Sequence, residues 1–190
     1  MSFSAYAIPD LIEDLDRIVA TEKDPRMLIG RASEDLRKLV LNRSAIPAPF
    51  LKVVNPSGTT RNLIHRHPQD RYVIIAIIWS PGYVSPIHDH GTWGVSGVYE
   101  NAMRVTNYVR VDDGTREDYA ELNEHSSLVA GVSSVTYVLP PNEEIHKIGN
   151  PSNERAVSIH VYGRDILTCR WFDAETRKVG TMDLAYHNIA

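Results

Sequence analysis

From about residue 46 onward, the chain is a series of short segments rich in Val, Ile, Thr, Tyr and Trp, separated by turn residues. The clearest segments are 72–79, 94–100, 103–111, 133–139, 156–162 and 168–172. No helical periodicity lies between them, and many short strands without intervening helices favour a β-sandwich or a β-barrel. The sequence therefore predicts a mainly β domain over residues 46–190.

Residues 1–45 have a helical pattern instead. Apolar residues recur at helical spacing from Leu11 onward, and Asp10 is the predicted N-cap of this first helix. A second helix is predicted to begin at Asp24-Pro25, with Asp24 as the N-cap and Pro25 in the first helical position. These helices are too short to stand alone, so we expect them to pack on the β domain within one structural domain.

Composition narrows the classes of partner. The formal net charge of −4 excludes a strongly basic surface for nucleic acid, and no apolar run approaches the roughly 18 residues of a membrane span. The single cysteine, Cys169, cannot form an internal disulfide, which favours the reducing cytoplasm.

The sequence has 8 histidines, against one cysteine. Histidine is the commonest metal ligand and a frequent proton carrier, so its positions direct the search for a site.

His88 and His90 form a His-x-His pair after an apolar run. On a strand the two side chains share one face and Asp89 points to the other, so two imidazoles converge from one rigid element, as a metal ion requires. His65 and His67 have the same spacing. A proline follows them and charges surround them, so we interpret this second pair as a solvated loop or strand end.

Two later segments contain further candidates. His146 follows a double-proline turn that can place one imidazole against another strand, although a lone histidine is more often exposed or structural. In residues 156–162, a period of two puts Ser158, His160 and Tyr162 on one face. Such a polar row either faces solvent or lines the cavity of a small barrel. In a cavity, the serine would orient the histidine and the histidine would hold the tyrosine as a proton relay.

The order of these segments resembles the cupin superfamily. The two matching half-motifs are Gly82-x5-His88-x-His90 and Pro141-x4-His146-x3-Asn150. The glutamate that cupins usually have four or five residues after the second histidine is missing, because Gly94 and Val95 stand there.

A cupin without that acid and with a later Ser-x-His-x-Tyr segment resembles the thiol dioxygenases, the cysteine dioxygenase family. Thr60-Arg61-Asn62-Leu63 also resembles the family's Thr-Arg-Asn-Leu stretch. The resemblance extends from about residue 46 to residue 173. It implies a mainly β fold, a single cupin domain (a jelly-roll β-barrel) with the N-terminal α-helices packed on it.

The resemblance also implies a reaction, in which O2 oxidises a small thiol carboxylate to the sulfinate at a non-haem Fe(II) ion. The residues matched by position are the Fe(II) ligands His88, His90 and His146, the carboxylate-binding Arg61, and the relay residues Ser158, His160 and Tyr162. The substrate supplies the electrons, so no nicotinamide, flavin or 2-oxoacid is expected. Residues 92–95 lack the cysteine that is cross-linked to the tyrosine in animal members, so we expect no cross-link here.

The sequence leaves the substrate open. Arg61 favours cysteine or a close 3-thiol acid, but Thr59 stands where family members often have a tyrosine just before this arginine. A second cation in the pocket would favour mercaptosuccinate, and the candidates for it are Arg66, Arg104, Arg164 and Arg170. The remaining alternatives are 3-mercaptopropionate as substrate, a cupin oxygenase for a non-thiol substrate, a non-catalytic metal-binding cupin sensor, and a structural zinc site. Oligomeric state is also left open, and His125 and His187 match no motif.

Overall fold

The computed structural model describes residues 5–189 as two α-helices, one 3-10 helix and eleven strands. The helices are α1 (Ile8–Thr21) and α2 (Pro25–Leu41), and the 3-10 helix spans Ala48–Leu51. The strands are β1 (Thr59–Arg66), β2 (Val73–Trp79), β3 (Ile87–His88), β4 (Gly94–Glu100), β5 (Ala102–Arg110), β6 (Leu122–Gly131), β7 (Val135–Val138), β8 (His146–Gly149), β9 (Ala156–Tyr162), β10 (Thr168–Phe172) and β11 (Val179–Asp183). Residues 1–4, which belong to the predicted helical segment, and residue 190 lie outside the described part of the chain. No described helix is long and apolar enough to cross a membrane.

The strands form two antiparallel sheets that enclose an apolar interior. One sheet has the order β1-β2-β9-β4-β7 and the other has the order β11-β10-β3-β8-β5-β6. The interior cluster takes residues from both sheets, for example Ile75 and Val98 from the first and Met103 and Ile148 from the second. Two facing antiparallel sheets of this kind make a jelly-roll barrel, which confirms the predicted fold class.

The central strands of the five-stranded sheet are covered on both faces. In β2, Ile75 and Ile77 belong to the barrel interior, while Ile74 and Ile78 belong to a second cluster with the helices. This double burial explains why β2 is an uninterrupted apolar run rather than an alternating one. In β9 the outward side chains from Val157 to Val161 pack in the same helix-facing cluster. The polar row of β9 is consequently turned into the barrel.

Both helices pack on the outer face of this sheet, as the sequence predicted. Leu11 of α1 and Leu36 of α2 are fully buried in the cluster that includes β2 and β9. The closest approach is at Gly97 of β4, where an added Cβ would lie 2.9 Å from Val40 Cγ1 and 3.1 Å from Leu36 Cγ. Glycine at this position therefore lets α2 lie directly against the sheet.

The N-terminus of α2 agrees with the sequence prediction, and the N-terminus of α1 differs from it. Asp24 accepts hydrogen bonds from the backbone N–H groups of Arg26 and Met27, as expected for the N-cap of α2. The prediction for α1 was wrong, because the helix begins at Ile8 and Asp10 lies within its first turn. From there its carboxylate accepts a hydrogen bond of 2.8 Å from the N–H of Ala7. The carboxylate thus satisfies an unpaired N–H group at the helix start from the third helical position.

Strands β1, β6, β8 and β11 were not predicted as strands. For β6 the physical reason is its exposure: most of its residues are exposed, and its polar and apolar residues do not alternate regularly. The second histidine pair lies at a strand end, as predicted, but is half-buried rather than solvated. The rings of His65 and His67 pack beside Tyr72 at centroid distances of 5.6 Å and 5.2 Å. Burial lowers the pKa of His65.

Candidate metal centre and active site

Three histidines converge inside the barrel. His88 is the last residue of β3 and lies opposite His146, the first residue of β8, while His90 follows two residues after His88. The ring centroids of the three are 4.8–4.9 Å apart, and one nitrogen from each lies within 4.8 Å of the others. The two His-x-His side chains therefore share one face, as predicted, and His146 joins them from the neighbouring strand.

Backbone carbonyls orient two of these rings. His88 Nδ1 lies 3.0 Å from the carbonyl oxygen of Pro86, and His90 Nδ1 lies 3.2 Å from that of Glu144. A carbonyl oxygen can only accept, so each Nδ1 carries the hydrogen and each Nε2 has a free lone pair. His146 Nε2 is buried and has no hydrogen-bond partner among residues 5–189. A buried polar atom without a partner is costly, and a metal ion is the partner that three such lone pairs fit.

Burial keeps the three imidazoles neutral. It lowers the pKa of His88, and it lowers the pKa values of His90 and His146 well below the usual range for histidine. Metal ligation requires the neutral ring, so the site is suited to a cation. Asp89 is not a member of the cluster, because its carboxylate pairs with Arg170 at a Nε–Oδ2 distance of 2.6 Å. Among residues 5–189, the cluster thus offers three neutral nitrogen donors and no carboxylate.

Two residues near the cluster hold its loops. Glu144 Oε2 accepts hydrogen bonds from the N–H groups of His90 and Gly91, at 3.2 Å and 2.7 Å. Glu144 was not predicted from the sequence, where its only signal was its place two residues before His146. Asn150 is 1% exposed, and its side-chain amide donates to three backbone carbonyls, the nearest being Glu154 O at 2.7 Å. This asparagine of the half-motif has a structural role in tying two loops together.

The polar row of β9 forms a hydrogen-bonded series inside the barrel. Ser158 Oγ lies 2.7 Å from His160 Nε2, and the Tyr162 hydroxyl lies 3.0 Å from His160 Nδ1. Two further members were not predicted from the sequence. Ser96 Oγ on β4 lies 2.8 Å from His160 Nδ1, and the indole N–H of Trp79 donates to Ser158 Oγ at 2.8 Å. Period two along β4 puts Ser96 on the inward face, which is the signal that was available.

Burial makes both titratable members of this series neutral. Burial lowers the pKa of His160 to about 3, and the positive charge of the nearby Arg61 also lowers it. Burial raises the pKa of Tyr162, and the charge of Arg61 opposes this increase. The Tyr162 ring stacks on His90 with centroids 5.3 Å apart. Its other side packs against Gly94, where an added Cβ would lie 2.6 Å from Tyr162 Cδ1. At position 94 the chain therefore presents backbone, rather than a side chain, to the tyrosine.

A cavity of about 110 Å³ adjoins the histidine cluster and the tyrosine. Its lining consists of Thr59, Arg61, Ile77, Trp79, Tyr83, Ser85, Pro86, His88, His90, Tyr162, Ile166, Met182 and Leu184. Binding sites for drug-sized molecules measure roughly 300–1,000 Å³, so this cavity is suited to a much smaller ligand.

Arg61 is the cation that lines this cavity within the described part of the chain. Its side chain is buried, one terminal nitrogen (Nη2) donates to the carbonyl oxygen of Ile166 at 3.3 Å, and the other (Nη1) has no partner among residues 5–189. The four other arginines considered above do not line it: Arg66 pairs with Asp165, Arg170 pairs with Asp89, and Arg104 and Arg164 are exposed.

Comparison with known proteins gives one family match and several similar solved structures. A model of the family described as cysteine dioxygenase type I matches residues 45–175. Among solved structures, a protein from Thermus thermophilus has a TM-score of 0.47 and 15% identity, covering 63% of this chain and 95% of its own. A cupin superfamily protein from Desulfitobacterium hafniense has a TM-score of 0.45 and 14% identity, covering 65% of this chain and 94% of its own. The family match spans more than half of the sequence, and the chain therefore belongs to the cysteine dioxygenase type I family.

Proposed function

We propose that this protein is a non-haem Fe(II) thiol dioxygenase that oxidises a small thiol carboxylate with O2 to the corresponding sulfinate. The observation that supports this most directly is the content of one small cavity. Its lining includes His88 and His90 of the three-histidine cluster, Arg61, which has an unpartnered guanidinium nitrogen among residues 5–189, and Tyr162. These groups match the three needs of the reaction: a metal, a carboxylate partner and a proton donor.

His88, His90 and His146 would hold the Fe(II) ion through Nε2. When bound, the ion would lower the pKa of the substrate thiol and bring the thiolate and O2 together. Within the described part of the chain, no cysteine or carboxylate joins the three histidines. A structural zinc site usually has four protein ligands, so three favour a site open to exogenous ligands. Neutral ligands also favour an anionic partner such as a thiolate.

The cavity favours a substrate with a single carboxylate. Arg61 lines the cavity and its Nη1 is buried without a partner among residues 5–189, and a guanidinium binds a carboxylate by charge-assisted hydrogen bonds. The rest of the lining is largely apolar and includes Ile77, Ile166, Met182 and Leu184. Among the described residues, a second carboxylate, as in mercaptosuccinate, would have no second arginine or lysine to meet inside this cavity, and burying a charge without such a partner is costly. We therefore favour cysteine or a close 3-thiol acid, including 3-mercaptopropionate.

Tyr162 and His160 would control protons beside the substrate sulfur. Both are neutral because of burial, and the Tyr162 hydroxyl is held by His160 Nδ1, which also contacts Ser96. In the overall reaction one thiol and one O2 give one sulfinic acid. Sulfur loses the electrons that the two oxygen atoms gain, and the thiol proton ends on a sulfinate oxygen or in solvent. The reaction consequently needs no external reductant.

The deciding experiment is O2 consumption by the Fe(II)-loaded protein with L-cysteine, 3-mercaptopropionate and mercaptosuccinate. We expect one O2 consumed per thiol, formation of the sulfinate by mass spectrometry, and the lowest kcat/KM for mercaptosuccinate. Oxygen uptake that does not depend on any thiol would contradict the proposed function. Tight thiol binding without turnover would instead indicate a binding module. A preference for mercaptosuccinate would contradict the interpretation of the cavity as a one-carboxylate site.

A further inference from the structure

The end of β11 and the residues after it form a segment that borders the cavity, here called the C-terminal strap (residues 182–188). Along it, Met182, Leu184 and Tyr186 are half-buried, and the residues between them are exposed. Met182 and Leu184 line the cavity. The alternation has the period of a strand, so one face of the strap is directed to the cavity and the other to solvent.

The strap is tied to β1, the outermost strand of the five-stranded sheet. The N–H of His187 donates to Arg61 O at 2.9 Å, and His187 Nδ1 accepts from the N–H of Arg61 at 3.1 Å. The side-chain amide of Asn188 makes the matching pair with Leu63, accepting from its N–H at 2.8 Å and donating to its carbonyl at 2.9 Å. The strap thus continues from the six-stranded sheet to the free edge of the other sheet, next to Arg61.

Tyr186 lies over the Arg61 guanidinium. The distance from Arg61 Cζ to the ring centroid is 5.2 Å, within the range of a cation–π contact. The Tyr186 hydroxyl donates to Asp165 Oδ1 at 2.5 Å, and the other oxygen of Asp165 is paired with Arg66. The ring is therefore fixed at its far end by a carboxylate that is itself held by a second cation.

We propose that Tyr186 is a positioning residue that holds the Arg61 guanidinium ready for the carboxylate of the substrate. The ring covers the guanidinium, the carbonyl of Ile166 takes Nη2, and Nη1 is the nitrogen left for a ligand. An arginine side chain has several rotatable bonds, so ordering it before the ligand arrives removes an entropic cost from binding. The inference rests on the proposed function, because it takes the ligand to be a thiol carboxylate.

The expected effect is on affinity rather than on turnover. Replacing Tyr186 by leucine keeps an apolar side chain in the strap but removes the ring face and the link to Asp165. We expect the Kd and the KM for 3-mercaptopropionate to rise about tenfold, with kcat within twofold of the wild type. A tenfold change is equivalent to about 1.4 kcal/mol, the order of a desolvated cation–π contact. Tyr186→Phe keeps the ring and should stay within about threefold.

The test is a double-mutant cycle on the full-length, Fe(II)-loaded protein. Kd for 3-mercaptopropionate is measured under nitrogen, and kcat and KM are measured in air, for Tyr186→Leu, Arg61→Met and the double variant. Tyr137→Leu is the matched control, since Tyr137 lies on β7, is 47% exposed and does not line the cavity. If Tyr186 acts through Arg61, its replacement has less than a twofold effect on Kd in the Arg61→Met background.

A Kd for Tyr186→Leu within twofold of the wild type would overturn the inference, and so would a tenfold loss that persists in the Arg61→Met background. Thermal unfolding and iron content show whether a variant is folded. If the leucine variant is unstable, Tyr186→Phe decides, because a Kd tenfold above the wild type for this variant would contradict positioning by the ring face. Failure of the proposed function has a different signature. A wild-type protein that binds 3-mercaptopropionate but does not consume O2 would contradict the dioxygenase and leave the role of Tyr186 supported by the Kd values.

Discussion

Removal of the Arg61 charge is the most informative single change. Methionine at this position keeps an unbranched side chain in a buried site but cannot pair with a carboxylate. Arg61 is only 7% exposed and Nη1 has no protein partner among the described residues, so the substrate is expected to supply that partner. Truncating one member of a buried charged pair costs roughly 2–5 kcal/mol. At 1.36 kcal/mol for each factor of ten, kcat/KM for a thiol carboxylate should fall by about 30-fold to several thousand-fold.

The assay is initial-rate O2 consumption over a range of thiol concentrations, with iron content measured on the same samples. Arg104→Met is the matched control, because Arg104 is exposed and does not line the cavity. We expect wild-type kinetics for this control and unchanged iron content for both variants. A kcat/KM for Arg61→Met within threefold of the wild type would refute the assignment of Arg61 as the carboxylate partner, as would equal losses in the two variants.

Three further changes test the rest of the site. His146→Ala should abolish iron retention measured by metal analysis, because it removes one of three ligands, whereas His67→Ala should retain iron; equal iron content in both would contradict the ligand assignment. Tyr162→Phe should lower kcat by about 10² with iron content unchanged, the order expected for a lost general acid, and an unchanged kcat would exclude a proton role. Gly94→Ala should lower stability by about 1–3 kcal/mol in denaturant unfolding, since its Cβ would lie 2.6 Å from the Tyr162 ring. Gly131→Ala meets nothing within 4 Å and should show little change.

Sequence patterns predicted the strands that are covered on both faces and missed several at the margins. β2 is a continuous apolar run, and β9 alternates cleanly between apolar and polar residues, so both carry a strong local signal. β6 is an edge strand whose residues are mostly exposed, so burial imposes no pattern on it. β8 is four residues long and begins with His146, which is too short for periodicity to be visible.

The site shows the same division. The spacing of His88 and His90 and the alternation from Ser158 to Tyr162 predicted which side chains share a face, because that depends only on local backbone geometry. The sequence did not predict that Ser96 reaches His160 or that Trp79 reaches Ser158. Those contacts depend on which strands become neighbours, and strand pairing is a property of the whole barrel.

The sequence by itself determined the chemistry that is available: three histidines in two cupin-like segments, a Ser-His-Tyr row, one well-placed arginine and no second ligand type in the motifs. Only the tertiary structure decided how these groups are used. It turned the polar row of β9 inward, because the helices cover the other face of that strand. It also brought His187 to the backbone of Arg61, 126 residues away in the chain. Local periodicity depends on residues that are neighbours in the chain, whereas the contact between His187 and Arg61 forms only when the two sheets have packed together.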